Sequence, residues 1–310
     1  MTLTQHIIGC DISKNKIDFF DAKTSRHCII VNTQVELDRF IAKFAGQEAV
    51  FAFEATGFYG QALRKTLSHQ GMAFIQVNPL HARRFAQSTG RLAKTDRIDA
   101  TQIAAMAERL ELPRTNAVDD DTEYLKSLII RRDQLVEMRS AEQKRFKQTN
   151  CKIVRACVNR HVEMLDKDIT SFDMLIQKAI EKTDSLKAKY DLLITIPGIG
   201  PATAAVLIAM LPEAGNTNRS ALAALAGVAP MAWDSGTFHG KHSIAGGRTR
   251  IRRALYLAAL GTLNGKSRFA EQYRKLKNTG KPSKVALIAV ARKILITANA
   301  MIKSGQPYAS

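Results

Sequence analysis

Ala49-Val50-Phe51-Ala52-Phe53-Glu54 decides the fold. Five apolar residues run without alternation and end on a carboxylate, and Ala55-Thr56-Gly57 follows. A continuous apolar run this short is the pattern of a strand covered on both faces, as in a parallel pair flanked by helices. Upstream, His6–Ile12, Lys16–Asp21 and 28–31 are β-prone runs separated by turn-like polar residues, which predicts a meander. The apolar spacing over 34–44 is that of an amphipathic helix. Downstream, 59–70 reads as helix, 72–77 as strand and 79–87 as helix. Three strands followed by alternating strands and helices predict a mixed α/β sheet with helices on its faces. Ligand sites in such open sheets gather at strand ends. Asp11 falls in the first strand, and Glu54 closes the buried one.

A second pair of acids lies in Lys94-Thr95-Asp96-Arg97-Ile98-Asp99-Ala100, with apolar residues following at helical spacing. Residues three apart on a helix share a face, roughly 5–6 Å apart between Cβ atoms. Two anions that close call for a metal, a basic side chain or a shared proton. The competing reading is a solvated helix start, salt-bridged through Lys94 and Arg97, whose acids favour the helix dipole. The other acids weigh against it. A lone aspartate in an apolar strand is costly to bury unpaired. Asp11, Glu54, Asp96 and Asp99, from three elements and near element ends, make an all-oxygen donor set suited to a divalent metal.

Composition narrows the partner. The chain has 310 residues and a net charge of +18, an excess that points to a polyanion. Charge alone does not separate nucleic acid from an anionic membrane surface. No apolar run is read as approaching the roughly 20 residues that span a bilayer, and Met1 to Ile8 lacks a signal-peptide pattern. The expectation is a cytoplasmic protein, at the nucleoid when bound to DNA, with no membrane partner. Four cysteines show no CxxC spacing, and Cys151, Cys157 and His161 fit no common zinc finger, so the thiols read as buried or idle.

Basic residues fall in blocks. Residues 80–95 carry Arg83, Arg84, Arg91 and Lys94 and no acid, as a phosphate-gripping rim or as a solvated face. From 119 to 189 glycine and proline vanish and charges alternate in sign. This predicts two long helices, or one broken near Asn150–Cys151, forming a coiled-coil-like arm for dimer or nucleic-acid contacts. Ile196-Pro197-Gly198-Ile199-Gly200-Pro201 is a tight turn between helical segments. Gly198 and Gly200 there would expose amides to a phosphate, as in a helix-hairpin-helix module, or would simply connect helices. Lys241, Arg248, Arg250, Arg252 and Arg253 crowd a glycine-rich loop that opens a helix, a phosphate-binding arrangement. Ser235, ahead of Gly236, reads as a turn serine or as one a substrate backbone approaches closely. The remainder reads as basic helix.

Taken together, these motifs resemble one family. Gly9-Cys10-Asp11-Ile12-Ser13-Lys14, Glu54-Ala55-Thr56-Gly57 and Lys94 to Ala100 carry the resemblance in the first half. Ile196 to Pro201, Ser235-Gly236 and Gly246-Gly247-Arg248 through Tyr256 carry it in the second. The chain resembles DEDD transposases of the insertion-sequence family that includes the Piv-type DNA invertases, recombinases guided by a bridge (seek) RNA. The resemblance implies a RuvC-like, ribonuclease-H-type domain over 1–120, a helical arm over 121–188 and a mostly helical transposase domain over 189–310. It implies that Asp11, Glu54, Asp96 and Asp99 bind two Mg²⁺ ions. It implies a serine nucleophile, Ser235 by motif with Ser243 in reserve. Its implied partners are donor and target DNA, a structured guide RNA, and further copies of the chain as a dimer or tetramer. Serine and acids in different domains imply a site assembled on substrate or between protomers. Two alternatives use the same features: a Mg²⁺-dependent junction-resolving nuclease with water as nucleophile, and a nucleic-acid-binding protein without catalysis.

Overall fold

The computed structural model describes residues 6–55, 59–89, 96–115, 119–231 and 243–309, with side chains in the 96–115 segment from Asp99 onward. The chain divides into two compact units, Met1–Val118 and Asp119–Ser310.

The first unit opens with β1 (His6–Ile12), β2 (Lys16–Asp21) and β3 (Arg26–Val31), the expected meander. There follow α1 (Gln34–Ile41), β4 (Ala49–Glu54), α2 (Gln61–His69), β5 (Ala73–Val77), α3 (Pro79–Ser88) and α4 (Asp96–Arg109). The five strands form one mixed sheet in the order β3-β2-β1-β4-β5. β1 pairs antiparallel with β2 and parallel with β4, and β4 pairs parallel with β5. The centre of the sheet is therefore β1 and β4, the two strands that carry Asp11 and Glu54.

Strand alternation sends side chains to two cores. Ile8, Cys10, Phe19, Phe51 and Phe53 pack on one face with Leu37, Ile41, Leu63 and Leu67 of α1 and α2. Ile7, Val50, Ala52, Ile75 and Val77 pack on the other with Ala82 of α3 and Ile103, Ala104, Met106 and Ala107 of α4. Gly9 is what lets α4 lie so close. A Cβ there would stand 2.0 Å from the Ala100 carbonyl oxygen and 2.9 Å from the Ala104 Cβ.

The second unit begins with α5 (Asp120–Gln148) and α6 (Lys152–Lys182), broken where the sequence predicts. They are antiparallel along their length: Thr183 bonds Asp121, Arg132 pairs with Asp173, Arg139 with Asp166 at 2.7 Å, and Arg155 lies over the Phe146 ring. Leu135, Leu165 and Ile169 form the seam midway. The roots of the hairpin, Leu125, Leu128, Ile129, Ile176 and Ile180, belong to the same core as the helices that follow. The segment expected as a separate arm thus shares its base with the C-terminal region.

After it come α7 (Asp184–Leu193), α8 (Pro201–Met210) and α9 (Arg219–Leu225). A two-stranded ribbon, β6 (Pro230–Met231) with β7 (Ser243–Ile244), has no counterpart in the sequence pattern. The unit closes with α10 (Thr249–Gly261), α11 (Arg268–Asn278) and α12 (Ser283–Ser304). α12 corrects one expectation: by length and composition it is apolar enough to cross a bilayer. Here Leu287, Val290, Ile294, Leu295 and Ala298 are core residues, and the helix packs on α7, α9, α10 and α11. Of the cysteines, Cys10 is buried and Cys28, Cys151 and Cys157 are exposed and free.

Candidate active site and nucleic-acid contacts

The register of the sheet brings two of the four acids together. Cys10 pairs with Phe53 across β1 and β4, so the next step sets Asp11 beside Glu54 at the C-terminal ends of both strands. Residues in register share a face. Glu54 pairs onward with Val77, which packs in the core under α3 and α4. Asp11 and Glu54 therefore sit on the α4 side of the sheet. On that side the Ala100 carbonyl lies over Gly9, two residues before Asp11, and half-buried Asp99 immediately precedes Ala100. Asp96 is the first residue of α4; its side chain lies outside the described residues.

The sequence reading missed a neighbour. Asp18 stands opposite Asp11 on β2, is 5% exposed and accepts an ion pair from Lys16 Nζ at 3.2 Å. Three carboxylates, Asp18, Asp11 and Glu54, thus cross the sheet in a row. In Lys16-Ile17-Asp18-Phe19-Phe20-Asp21 polar and apolar residues mix as in any half-buried strand, so nothing marks Asp18 beforehand. On the opposite face, burial and then the Asp11 charge push the Cys10 thiol well up, leaving it protonated and inert.

The donors suit Mg²⁺ in kind: carboxylate oxygens from two strand ends and a helix start. Among the described residues, no three His, Cys, Asp or Glu side chains gather closely enough to hold a metal ion. Cys151, Cys157 and His161 likewise form no such group.

The basic residues divide. Arg83 and Arg84 are exposed on α3, whose first turn is capped by Asn78. Arg91, Lys94, Lys241 and Ser235 lie outside the described residues. The four arginines of the 248–253 block are engaged within the fold. Arg248 caps α10 and donates to the Met210 carbonyl at 2.9 Å and to both Glu213 oxygens. Burial alone would raise the Glu213 pKa; hydrogen bonds and charge from Arg248 outweigh it and hold the carboxyl below its usual range. Arg250 donates to Asp133 at 3.0 Å, Arg253 pairs with Glu137 at 3.6 Å, and Arg252 donates to the Gly246 carbonyl at 2.6 Å. Arg248, read from sequence as a phosphate ligand, is engaged with Glu213 in the turn after α8.

The Gly198 turn also has a packing reason. At φ +89° Gly198 presses on α10, where a Cβ would come within 2.4 Å of the Ala258 carbonyl oxygen. Gly200 is different: exposed, with open space around it, it precedes Pro201 at the start of α8. The Gly200 side of this turn is exposed.

Comparisons with known proteins agree along the whole chain. A model described as transposase, for the DEDD transposase of IS110, matches residues 8–149. A second, described as the transposase IS116/IS110/IS902 family, matches residues 190–274. The pilin gene-inverting proteins of Moraxella lacunata and Moraxella bovis are each 30% identical over 320 residues, covering 99% of this chain and 98% of theirs. An IS110 insertion-element protein of Streptomyces coelicolor is 34% identical over 120 residues, 38% of this chain and 30% of its own. The chain belongs to the IS110 family of transposases and DNA invertases, which makes DNA its substrate.

Proposed function

We propose that this chain is an RNA-guided recombinase that cuts and rejoins DNA through a serine ester, with Asp11, Glu54, Asp96 and Asp99 holding two Mg²⁺ ions. The observation that carries the acid site is that Asp11 and Glu54 follow the paired Cys10 and Phe53 at the ends of adjacent parallel strands, on the side of the sheet that α4, with Asp96 and Asp99 in its first turn, packs against. The strand order β3-β2-β1-β4-β5, with its antiparallel first half and parallel second half, supports a RuvC-like, ribonuclease-H-type domain. When bound, Mg²⁺ supplies charge stabilisation for the oxygens entering and leaving phosphorus.

The chain's own residues do the rest. The Ser235 hydroxyl attacks a DNA phosphorus and loses its proton. The bond to the leaving strand's oxygen breaks, and that oxygen departs as a hydroxyl. The phosphoserine ester keeps the bond energy for rejoining to a second strand, so exchange needs no net hydrolysis. Base pairing in a guide RNA sets sequence, and basic surfaces hold its backbone by charge and shape. The pilin gene-inverting relatives support inversion as one outcome of this exchange. Copies of the chain act together as a dimer or tetramer.

The test is a nicked suicide substrate. Wild type is expected to accumulate a covalent DNA adduct that maps to Ser235, and Ser235→Ala to bind DNA without forming it. An adduct at Ser243 moves the residue and keeps the chemistry. Cleavage with no adduct in wild type makes water the nucleophile.

A further inference from the structure

Three cations that no motif singled out line one place in the second unit. Arg219 opens α9, Arg268 opens α11 and Lys293 lies on α12, and all three line one cleft of about 380 Å³. The cleft is closed on one side by the chain after α12. There the Tyr308 amide donates to the Thr195 hydroxyl at 3.1 Å, and the Tyr308 ring stacks on Phe269, 5.9 Å between centroids. Along α12, Thr297, Ala300 and Ser304 follow Lys293 at helical spacing, and their small side chains leave the space open.

The contrast with the 248–253 block is in the partners. Arg248, Arg250 and Arg253 each face a carboxylate. Arg219, Arg268 and Lys293 are exposed, and among the described residues no acid lines their cleft and none of them has a carboxylate partner. Three cations from three elements, with no carboxylate among the described residues to pair with, repel one another. Their convergence is a cost to the empty protein that an anion removes. The volume is that of a small-ligand site rather than of a duplex groove. A half-buried aromatic at the rim, held flat against a second ring, is a platform for an unstacked base.

We infer that this cleft seats one nucleotide of a single-stranded polynucleotide, its phosphate on Arg219, Arg268 and Lys293 and its base against Tyr308. The recombinase reading supplies only the identity of the polyanion; the cleft and its free cations stand on the geometry.

The test is binding in EDTA, where no strand is cut, so catalysis does not enter. Short fluorescein-labelled single strands of RNA and of DNA are titrated by anisotropy against wild type and the triple variant R219A/R268A/K293A. All three side chains are exposed, so the variant is expected to fold as wild type does. At least one strand type should bind tenfold or more weakly, with a salt slope shallower by about 0.7 for each phosphate no longer neutralised. The strand type that weakens more identifies the source. Tyr308→Ala keeps the charge; it should weaken the same strand about fivefold or more and abolish a bromouridine photocrosslink mapped to residue 308. Unchanged affinity and slope for both strands in the triple variant would overturn the inference. With labelled duplex DNA and adenosine monophosphate titrated alongside, a loss confined to either of these would also overturn it.

Discussion

The central strands of the first unit and helix α10 of the second both carry charged residues that the sequence marks, and they use them in opposite ways. On β1 and β4 the register carries Asp11 and Glu54 to neighbouring strand ends, and Asp18 joins them from β2. Carboxylates are gathered there, and Lys16 pairs with Asp18 in the row. On α10 the arginines are spread over different acceptors: Glu213 after α8, Asp133 and Glu137 on α5, and a carbonyl in the preceding loop. A concentration of one sign at one place points outward, to a metal or a polyanion. A charge met by an internal partner points inward, to architecture. Under that rule the cations of the cleft around Lys293 are available to a polyanion, and those of α10 are largely fasteners.

The largest expected effect lies in the acids. Asp11→Ala, Glu54→Ala, Asp96→Ala and Asp99→Ala should each cut recombination by about a thousandfold or more, since groups acting as a unit fail together. Thermal stability should fall little or rise, because each change relieves repulsion. Full recombination by any one variant in Mg²⁺ removes that residue from the site.

Next comes Gly9. Gly9→Val sets side-chain atoms into the backbone of α4 at Ala100, and overpacking of that severity should cost about 3 kcal/mol or more. Chemical denaturation measures it. A loss under about 1 kcal/mol would mean that α4 is free to shift away, and the acid site with it.

Arg248 and Glu213 sharpen the other side of the comparison. The folded Glu213 pKa is depressed, so its contribution to stability is present above the unfolded carboxyl pKa and disappears as pH falls through the lower folded value. Glu213→Gln should cost about 1–2 kcal/mol near neutrality, reduced from a fully buried pair because both side chains are partly exposed. The gap to wild type should close as pH falls below the carboxyl range. A pH-independent gap would assign the loss to packing.

The smallest effect is expected at the α10–α5 rungs. Asp133→Asn and Glu137→Gln should change stability by under about 1 kcal/mol, while releasing Arg250 and Arg253 to solvent. DNA affinity should stay level or rise slightly, read by anisotropy at fixed salt. A fall would show that these acids serve the DNA directly.

Much of the molecule is legible in the sequence, for reasons that differ by residue. The 49–54 run reads as a doubly covered strand because its composition is apolar at every position before the acid, and the sheet centre follows. Asp11 and Glu54 stand out because each interrupts an apolar strand. The hairpin break near 149–151 shows as a lapse in apolar spacing. Pairing across distance is not legible. Arg250 and Asp133 lie 117 residues apart, and no local pattern announces that they meet. Asp18 is inconspicuous because an aspartate between isoleucine and phenylalanine is ordinary in a strand with one wet face; its burial appears only once β1 lies beside it. The apolar character of α12 is masked because Arg292 and Lys293 interrupt its spacing, although its window is apolar as a whole. The cleft is invisible because its three cations come from separate helices.

The most direct measurement is of the metal itself. Fe²⁺ substituted for Mg²⁺, with ascorbate and peroxide, generates radicals that cleave the backbone where the ion sits. The account predicts cuts next to Asp11, Glu54 and the 96–99 turn in wild type, lost together in Asp11→Asn and in Glu54→Gln and suppressed by excess Mg²⁺. Cuts that map elsewhere, or that persist unchanged in both variants, would contradict it.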